Sequence, residues 1–187
     1  MPSLSEADRR AALQLARTAV VEAVAHRKLP EVFPHEGIFA VRRAVFVTLH
    51  VRNLLQGCIG VIEANEPLGE AIVRCAASAA LEDPRFAPMR TDQLGQLSIE
   101  ISLLSPMEPI VPESIEIGHH GLLIRLHAHR GLLLPQVAIE HRLTREQFLE
   151  ETCRKAGLFR EAWRDPEARL FGFTCEVFSE SSHHEGA

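Results

Sequence analysis

Apolar and polar residues alternate along this 187-residue chain with two different periods, and the switches between them lay out a series of helices and strands. Near the N-terminus Leu13, Ala16, Val20 and Val24 fall on one helical face and Arg10, Gln14 and Arg17 on another, with Ser5 placed to cap the first turn. Arg27 and Lys28 suit the negative end of that helix, and Pro30 and Pro34 follow in a loop. Gly37 opens an extended region in which Val45, Val47, Leu49 and Val51 alternate with Phe46, Thr48 and His50, the pattern of a strand. Arg52-Asn53 makes the turn of a hairpin whose second strand runs from Leu55 to Ile62. Strand parity puts Leu55, Gly57, Ile59 and Val61 on one face and Gln56, Cys58, Gly60 and Ile62 on the other.

A second helix begins at Asn65 and Pro67, with Leu68, Ile72, Cys75 and Ala79 in one stripe beside four further alanines. So many small residues predict a close approach by this helix, with Cys75 as a packing residue. Asp83-Pro84-Arg85-Phe86 breaks it, and Pro88 extends the loop. Leu97, Ile99, Ile101 and Leu103 then alternate with Ser98, Glu100 and Ser102 in a strand, and Pro106, Pro109 and Pro112 mark an extended connection. Gly121 to Leu126 and Leu132 to Leu134 predict a second hairpin, with His127 to Gly131 as its loop. Thr144 and Gln147 form a capping box, Leu143 and Phe148 a hydrophobic staple, and Gly157 a stop for a helix from Arg145 to Ala156. Phe171, Phe173, Cys175 and Val177 alternate in a last strand with Cys175 in its core, and residues 179–187, with His183-His184, read as a frayed, disordered tail.

Composition narrows the class. Apolar residues make up 46% of the chain, enough to fill a core without staples. Four widely spaced cysteines with no C-x-x-C pair read as reduced thiols, and the acidic N-terminus and the lack of a long apolar run point to a cytoplasmic protein without a membrane span. A net charge of −5 argues against a broad surface for nucleic-acid phosphates. It leaves room for a small basic patch drawn from Arg42, Arg43, Arg52 and Arg130. The histidines at 119, 120, 127 and 129 lack carboxylate or cysteine partners at ligand spacing, so no metal and no cofactor is expected.

The candidate chemistry gathers around Leu55-Gln56-Gly57-Cys58-Ile59-Gly60, where two glycines leave the backbone beside a thiol open to a ligand or to another backbone. The competing reading is a buried bulge with an inert core thiol. If the chain converges there, Cys58 is the nucleophile, Glu100 or His141 the base, and Arg85 with Asp83 an anchor for carboxylate or phosphate. Gln56, Gly57, Gly60 and Gln136 complete the candidate ligand-binding set.

The order of these segments resembles the AMMECR family, whose bacterial and archaeal members are called AmmeMemoRadiSam system protein A. The likeness runs through Gly37 to Leu49, Leu55 to Gly60, Ala76 to Phe86, Ile99 to Pro106, Gly121 to Val137 and Phe148 to Val177. The family's hallmark is Leu-Arg-Gly-Cys-Ile-Gly, and Gln56 stands here where the family usually has arginine. The resemblance implies an α+β fold, one AMMECR-like domain of two unequal subdomains sharing a core, with mainly antiparallel sheet and packed helices. It also implies association with Memo-like and radical SAM proteins and a small-molecule or RNA ligand, without an established reaction. Two functions follow: a cytosolic ligand- or partner-binding module, or a cysteine-dependent enzyme of RNA or nucleotide modification with Cys58 as nucleophile.

Overall fold

In a computed structural model, residues 4–30 and 34–180 are described. They fall into two compact units, the first comprising the described residues up to Leu103 together with those from Glu176 onward, the second Leu104–Cys175.

In the first unit α1 (Glu6–Val21) starts where Ser5 accepts a hydrogen bond from the Asp8 N–H at 3.1 Å. It widens into a π turn over Glu22–His26 and closes at Arg27 in the left-handed conformation. Gly37–Ala40 is a 3-10 turn rather than an extended entry, and β1 (Val45–Val51) begins only at Val45. Arg52 and Asn53 both hold positive φ, 53° and 63°, the conformation that follows the right-handed twist of a hairpin without needing glycine. The chain returns as β2 (Leu54–Val61), α2 (Leu68–Leu81) follows, and β3 (Leu97–Leu104) pairs antiparallel with β1 on its other side. The final strand, β8 (Cys175–Ser179), completes a four-stranded sheet in the order β2-β1-β3-β8. Val45, Val47, Leu49, Ile99 and Ile101 are fully buried in one core with the apolar stripes of α1 and α2. The alternate residues of β1, among them Thr48 and His50, are half-buried on the opposite face.

Small residues let α2 come very close to the sheet. A Cβ on Gly57 would lie 2.0 Å from the carbonyl oxygen of Ala79, so this glycine is required by the protein's own helix. Gly60 points the other way, and its Cβ position is taken by the Phe46 ring at 2.3 Å. Neither position is open to a ligand, and the physical reason for both glycines is internal packing.

The second unit is built on β4 (Glu108–Pro109), β5 (Gly121–Leu126), β6 (His129–Leu133) and β7 (Arg169–Phe173), ordered β4-β7-β5-β6 with antiparallel pairing throughout. The hairpin loop is only His127-Ala128, because Leu126 already pairs with His129. A short helix not foreseen from the sequence, α3 (Pro135–Glu140), uses Pro135 in its first turn, where proline loses no hydrogen bond. In α4 (Arg145–Lys155) both bonds of the Thr144–Gln147 capping box are made, and Gly157 follows at φ 72°. Its apolar residues gather in two clusters, around Phe148 and around Ile124. Each unit has core clusters of its own.

The alternation that predicts one strand from Phe171 to Val177 is interrupted at Thr174. Phe171 and Phe173 belong to β7 and Cys175 and Val177 to β8, in different sheets. Cys175 is half-buried and Val177 is 40% exposed, while Phe178 is the buried residue. The tail was also expected to begin too early. Ser179 ends β8, and Glu180 accepts from Arg17 Nε at 2.6 Å and from the Ile99 N–H at 3.0 Å. Residues 181–187, with His183-His184, lie outside the described residues.

Gly57→Ala is expected to cost about 2 kcal/mol or more in urea unfolding, since a backbone carbonyl rather than a flexible side chain blocks the new methyl. Gly95→Ala, where the added atom meets open space, is expected to change stability by less than about 1 kcal/mol. Equal effects at the two positions would refute the close approach of α2.

Candidate functional site

β2 is an edge strand, so one side of its backbone lacks a neighbouring strand. At Cys58 that side is closed by side chains. The Cys58 N–H donates to Asp83 Oδ2 at 2.9 Å, and Arg85 Nη2 donates to the Cys58 carbonyl at 3.2 Å. Arg85 also clasps the same carboxylate, with Nε to Oδ1 at 3.0 Å and Nη2 to Oδ2 at 2.7 Å. Its own backbone N–H reaches Oδ1 at 3.1 Å. Together Asp83 and Arg85 supply the acceptor and donor that another strand would have offered.

Because the Cys58 N–H and C=O point outward, Cys58 and Thr48 form a non-hydrogen-bonded cross-strand pair, in which side chains stand closest. The Thr48 hydroxyl lies 3.2 Å from Cys58 Sγ and donates to it. Thr48 was not among the expected site residues. It reads from the sequence as an ordinary polar position of an alternating strand, and only the register sets it beside the thiol.

Glu100 faces Thr48 from the other side, giving a row Cys58–Thr48–Glu100 across three strands. Two strand spacings, about 10 Å, separate the outer members, so Glu100 is not placed to take a proton from Cys58 directly. Gln56 is the extra residue of a β-bulge: Leu49 pairs with Gly57 and His50 with Leu55. The bulge brings Leu55 to the His50 face, against simple parity, and leaves it 42% exposed. The Gln56 amide donates to the Ala87 carbonyl at 2.9 Å, so it fastens the same loop that carries Asp83 and Arg85.

Gln136 and His141 belong to the second unit, in the first turn and at the C-terminal cap of α3. His141 lines a cavity of about 660 Å³ with Leu133, Val137, Leu143, Glu151, Arg154 and Lys155. Cys58, Asp83, Arg85 and Gln56 are thus joined by hydrogen bonds around one loop, whereas Gln136 and His141 are not part of that network. His127 pairs with Glu167, and His129 lies at 3.2 Å from the Ala156 carbonyl.

The electrostatics follow from burial and pairing. Asp83 is only 5% exposed, yet the Arg85 guanidinium, helped by the two backbone N–H groups, holds its carboxyl well below the usual carboxylate range. The same contact raises Arg85. Cys75, fully enclosed on the buried face of α2, is pushed up to about 11 by burial, which keeps it a neutral packing thiol.

The fold has counterparts among known proteins. The family model described as AMMECR1 matches residues 13–178. The chain belongs to the AMMECR1 family. A protein of Methanothermobacter thermautotrophicus is 41% identical over 187 residues, covering 95% of this chain and 96% of its own. Protein Ta0236 of Thermoplasma acidophilum is 41% identical over 177 residues, covering 90% and 85%. The crystal structure of uncharacterized protein PH0010 from Pyrococcus horikoshii is similar with a TM-score of 0.82 at 36% identity, over 91% of this chain and 90% of that one. The mixed helix and antiparallel-sheet architecture of this AMMECR1 chain is thus shared with a solved structure.

A carboxyl group held low in the folded state stabilises it most above its unfolded pKa of about 4, and that contribution fades as pH falls further. Asp83→Asn is therefore expected to cost about 1–3 kcal/mol at pH 7, with the gap to wild type narrowing at pH 3. Urea unfolding at both pH values checks this. A gap of constant size would show that the carboxylate charge is not what holds the loop.

Proposed function

We propose that this AMMECR1-family chain is a cytosolic binding module that engages a protein partner through the rim of β2 and the adjoining loop, in company with Memo-like and radical SAM proteins. The observation that carries this reading is the clamp itself. It ties the polar groups nearest Cys58 to the chain's own backbone and leaves Leu54 (73% exposed), Leu55, Arg85, Ala87 and Pro88 displayed beside it. A surface held in place before binding loses little conformational entropy on association, and arginine with apolar anchors is the composition of interface centres. A nucleophile paired with a base within hydrogen-bond reach is the arrangement catalysis would call for, and Glu100 stands two strands away.

A cysteine-dependent enzyme is the second reading, supported by the Thr48 hydroxyl directed at Cys58 Sγ. The two readings separate by substitution. With purified Memo-like and radical SAM proteins from the same genome as probes, Leu55→Asp and Arg85→Ala are expected to weaken binding at least about tenfold, and Cys58→Ala to leave it within about threefold. No measurable association with either probe at tens of micromolar, a round concentration chosen for weak complexes of about −6 to −7 kcal/mol, would count against this partner assignment. For the enzyme reading, Thr48→Val would slow alkylation of Cys58 at neutral pH about tenfold, followed by peptide mass spectrometry; equal rates would remove its support.

A further inference from the structure

The cavity of about 660 Å³ beside α3 belongs wholly to the second unit, and the clamp at Cys58 does not use it. The local fold explains why it is there. α3 ends at His141, and Arg142 turns the chain through a positive φ of 51°, with the Leu143 N–H bonded to the Ala138 carbonyl at 2.9 Å. The chain becomes helical again at Arg145, the start of α4. Val137 and His141 lie one turn apart on a single face of α3. Glu151, Arg154 and Lys155 lie one turn apart on a single face of α4, and Leu133 of β6 and Leu143 of the connection close the ring.

The apolar part of the lining is braced from behind. Leu133 and Leu143 are half-buried and pack against the cluster that holds Phe148 and Leu149 of α4, and Val137 is half-buried with them. The polar part is cationic. Glu151 is engaged by Arg154 Nη2 at 2.6 Å, whereas Lys155 and the His141 ring are exposed, without a hydrogen-bond or ion-pair partner among the described residues. Helix ends of this polarity would by themselves favour a cation, but their carbonyls are taken up by the chain. The Gly157 N–H donates to the Arg154 carbonyl and the Leu158 N–H to that of Cys153, both at 3.0 Å, and the His141 N–H donates to the Val137 carbonyl at 3.1 Å. The helix dipole gives a reason for Arg154 and Lys155 in the last turn of α4. It gives none for three half-exposed apolar side chains beside them.

We propose that this cavity binds a small organic monocarboxylate with an apolar body, its carboxylate facing Lys155 and His141 and its body lying on Leu133, Val137 and Leu143. The volume falls in the range of small-ligand sites, and an apolar floor with a few polar groups to one side is how such sites fix orientation. The charge selects the class. Arg154 and Glu151 neutralise each other, which leaves one lysine ammonium in excess, matched to a single negative charge rather than to a dianion. The His141 ring adds a donor from one nitrogen in either tautomer. Because the floor is held by the core before anything binds, little conformational entropy is lost on association. The site shares no residue with the partner surface at β2, so the two assignments stand or fall separately.

The probe is phenylbutyrate, titrated into the isotope-labelled full chain and followed by backbone amide shifts. A ligand of about a dozen non-hydrogen atoms on an open bowl is expected to bind with a Kd of about 1 mM, moving the amides of α3 and the last turns of α4. Phenylbutyramide, nearly the same shape without the charge, is expected to bind at least about fivefold more weakly. Lys155→Gln, at an exposed helical position, is expected to weaken phenylbutyrate about fivefold and to leave the amide within about twofold. Val137→Phe fills the floor and is expected to weaken acid and amide alike at least about fivefold. Both variants are expected to melt within about 4 °C of wild type; if Val137→Phe does not fold, Lys155→Gln decides alone. No saturable shift up to about 10 mM, equal affinity for acid and amide, or an unchanged Kd in folded Lys155→Gln overturns the proposal. Tighter binding of phenylbutylammonium overturns it in favour of a cation site at Glu151. Tighter binding of an N-acetylated tripeptide that ends in a free phenylalanine carboxylate overturns it in favour of a peptide-end site.

Discussion

The contact on which the first unit depends is the one between the α-carbon of Gly57 and the carbonyl of Ala79. With no side chain at residue 57, the last turn of α2 settles directly onto β2. Asp83, two residues beyond the end of that helix, is thereby delivered to the edge of the sheet. A larger residue at 57 would lift the helix end and withdraw the loop with it, because interiors packed at crystal density have little slack. The alanine-rich stripe of α2 and the glycine in β2 are two halves of one device.

The loop so delivered turns a liability into a fixed surface. Exposed strand edges invite pairing with other chains, and charged side chains are a common way to blunt them. Here the blunting is specific: a buried carboxylate accepts the Cys58 N–H, and the guanidinium that neutralises it also serves the Cys58 carbonyl. An exposed arginine–carboxylate pair alone contributes little. This one gains its value from the nearly enclosed Asp83, whose oxygens are satisfied by backbone as well as by Arg85. The family's hallmark cysteine is therefore held chiefly by its main chain, with its sulfur facing Thr48.

The two sheets share a build and differ in what they display. Each has four strands, with helices against one face. On the other face of the first, the middle of β1 carries the polar row Cys58–Thr48–Glu100; in the second, a row of three arginines lies near the end of β5. An overall acidic chain can thus hold a locally cationic row, since the charges are separated by the topology and not by sequence blocks.

Local patterns were legible wherever neighbours in the sequence set the structure. Ser5 and the Thr144–Gln147 box cap their helices, Arg52-Asn53 turns its hairpin, and Val45 to Val51 alternates as read, because capping, turn conformation and side-chain parity act over a few residues. The segment order identified the family. Tertiary structure decided the rest. It filled the space beside Gly57 with a helix and that beside Gly60 with Phe46, placed Gln56 in a bulge, and divided Phe171 to Val177 between two sheets. It also set Thr48 beside the thiol and lined up Arg169 with Arg125 and Arg130. These are matters of register between strands distant in the chain, and a periodicity of two records which face a residue takes but not which residue it meets there.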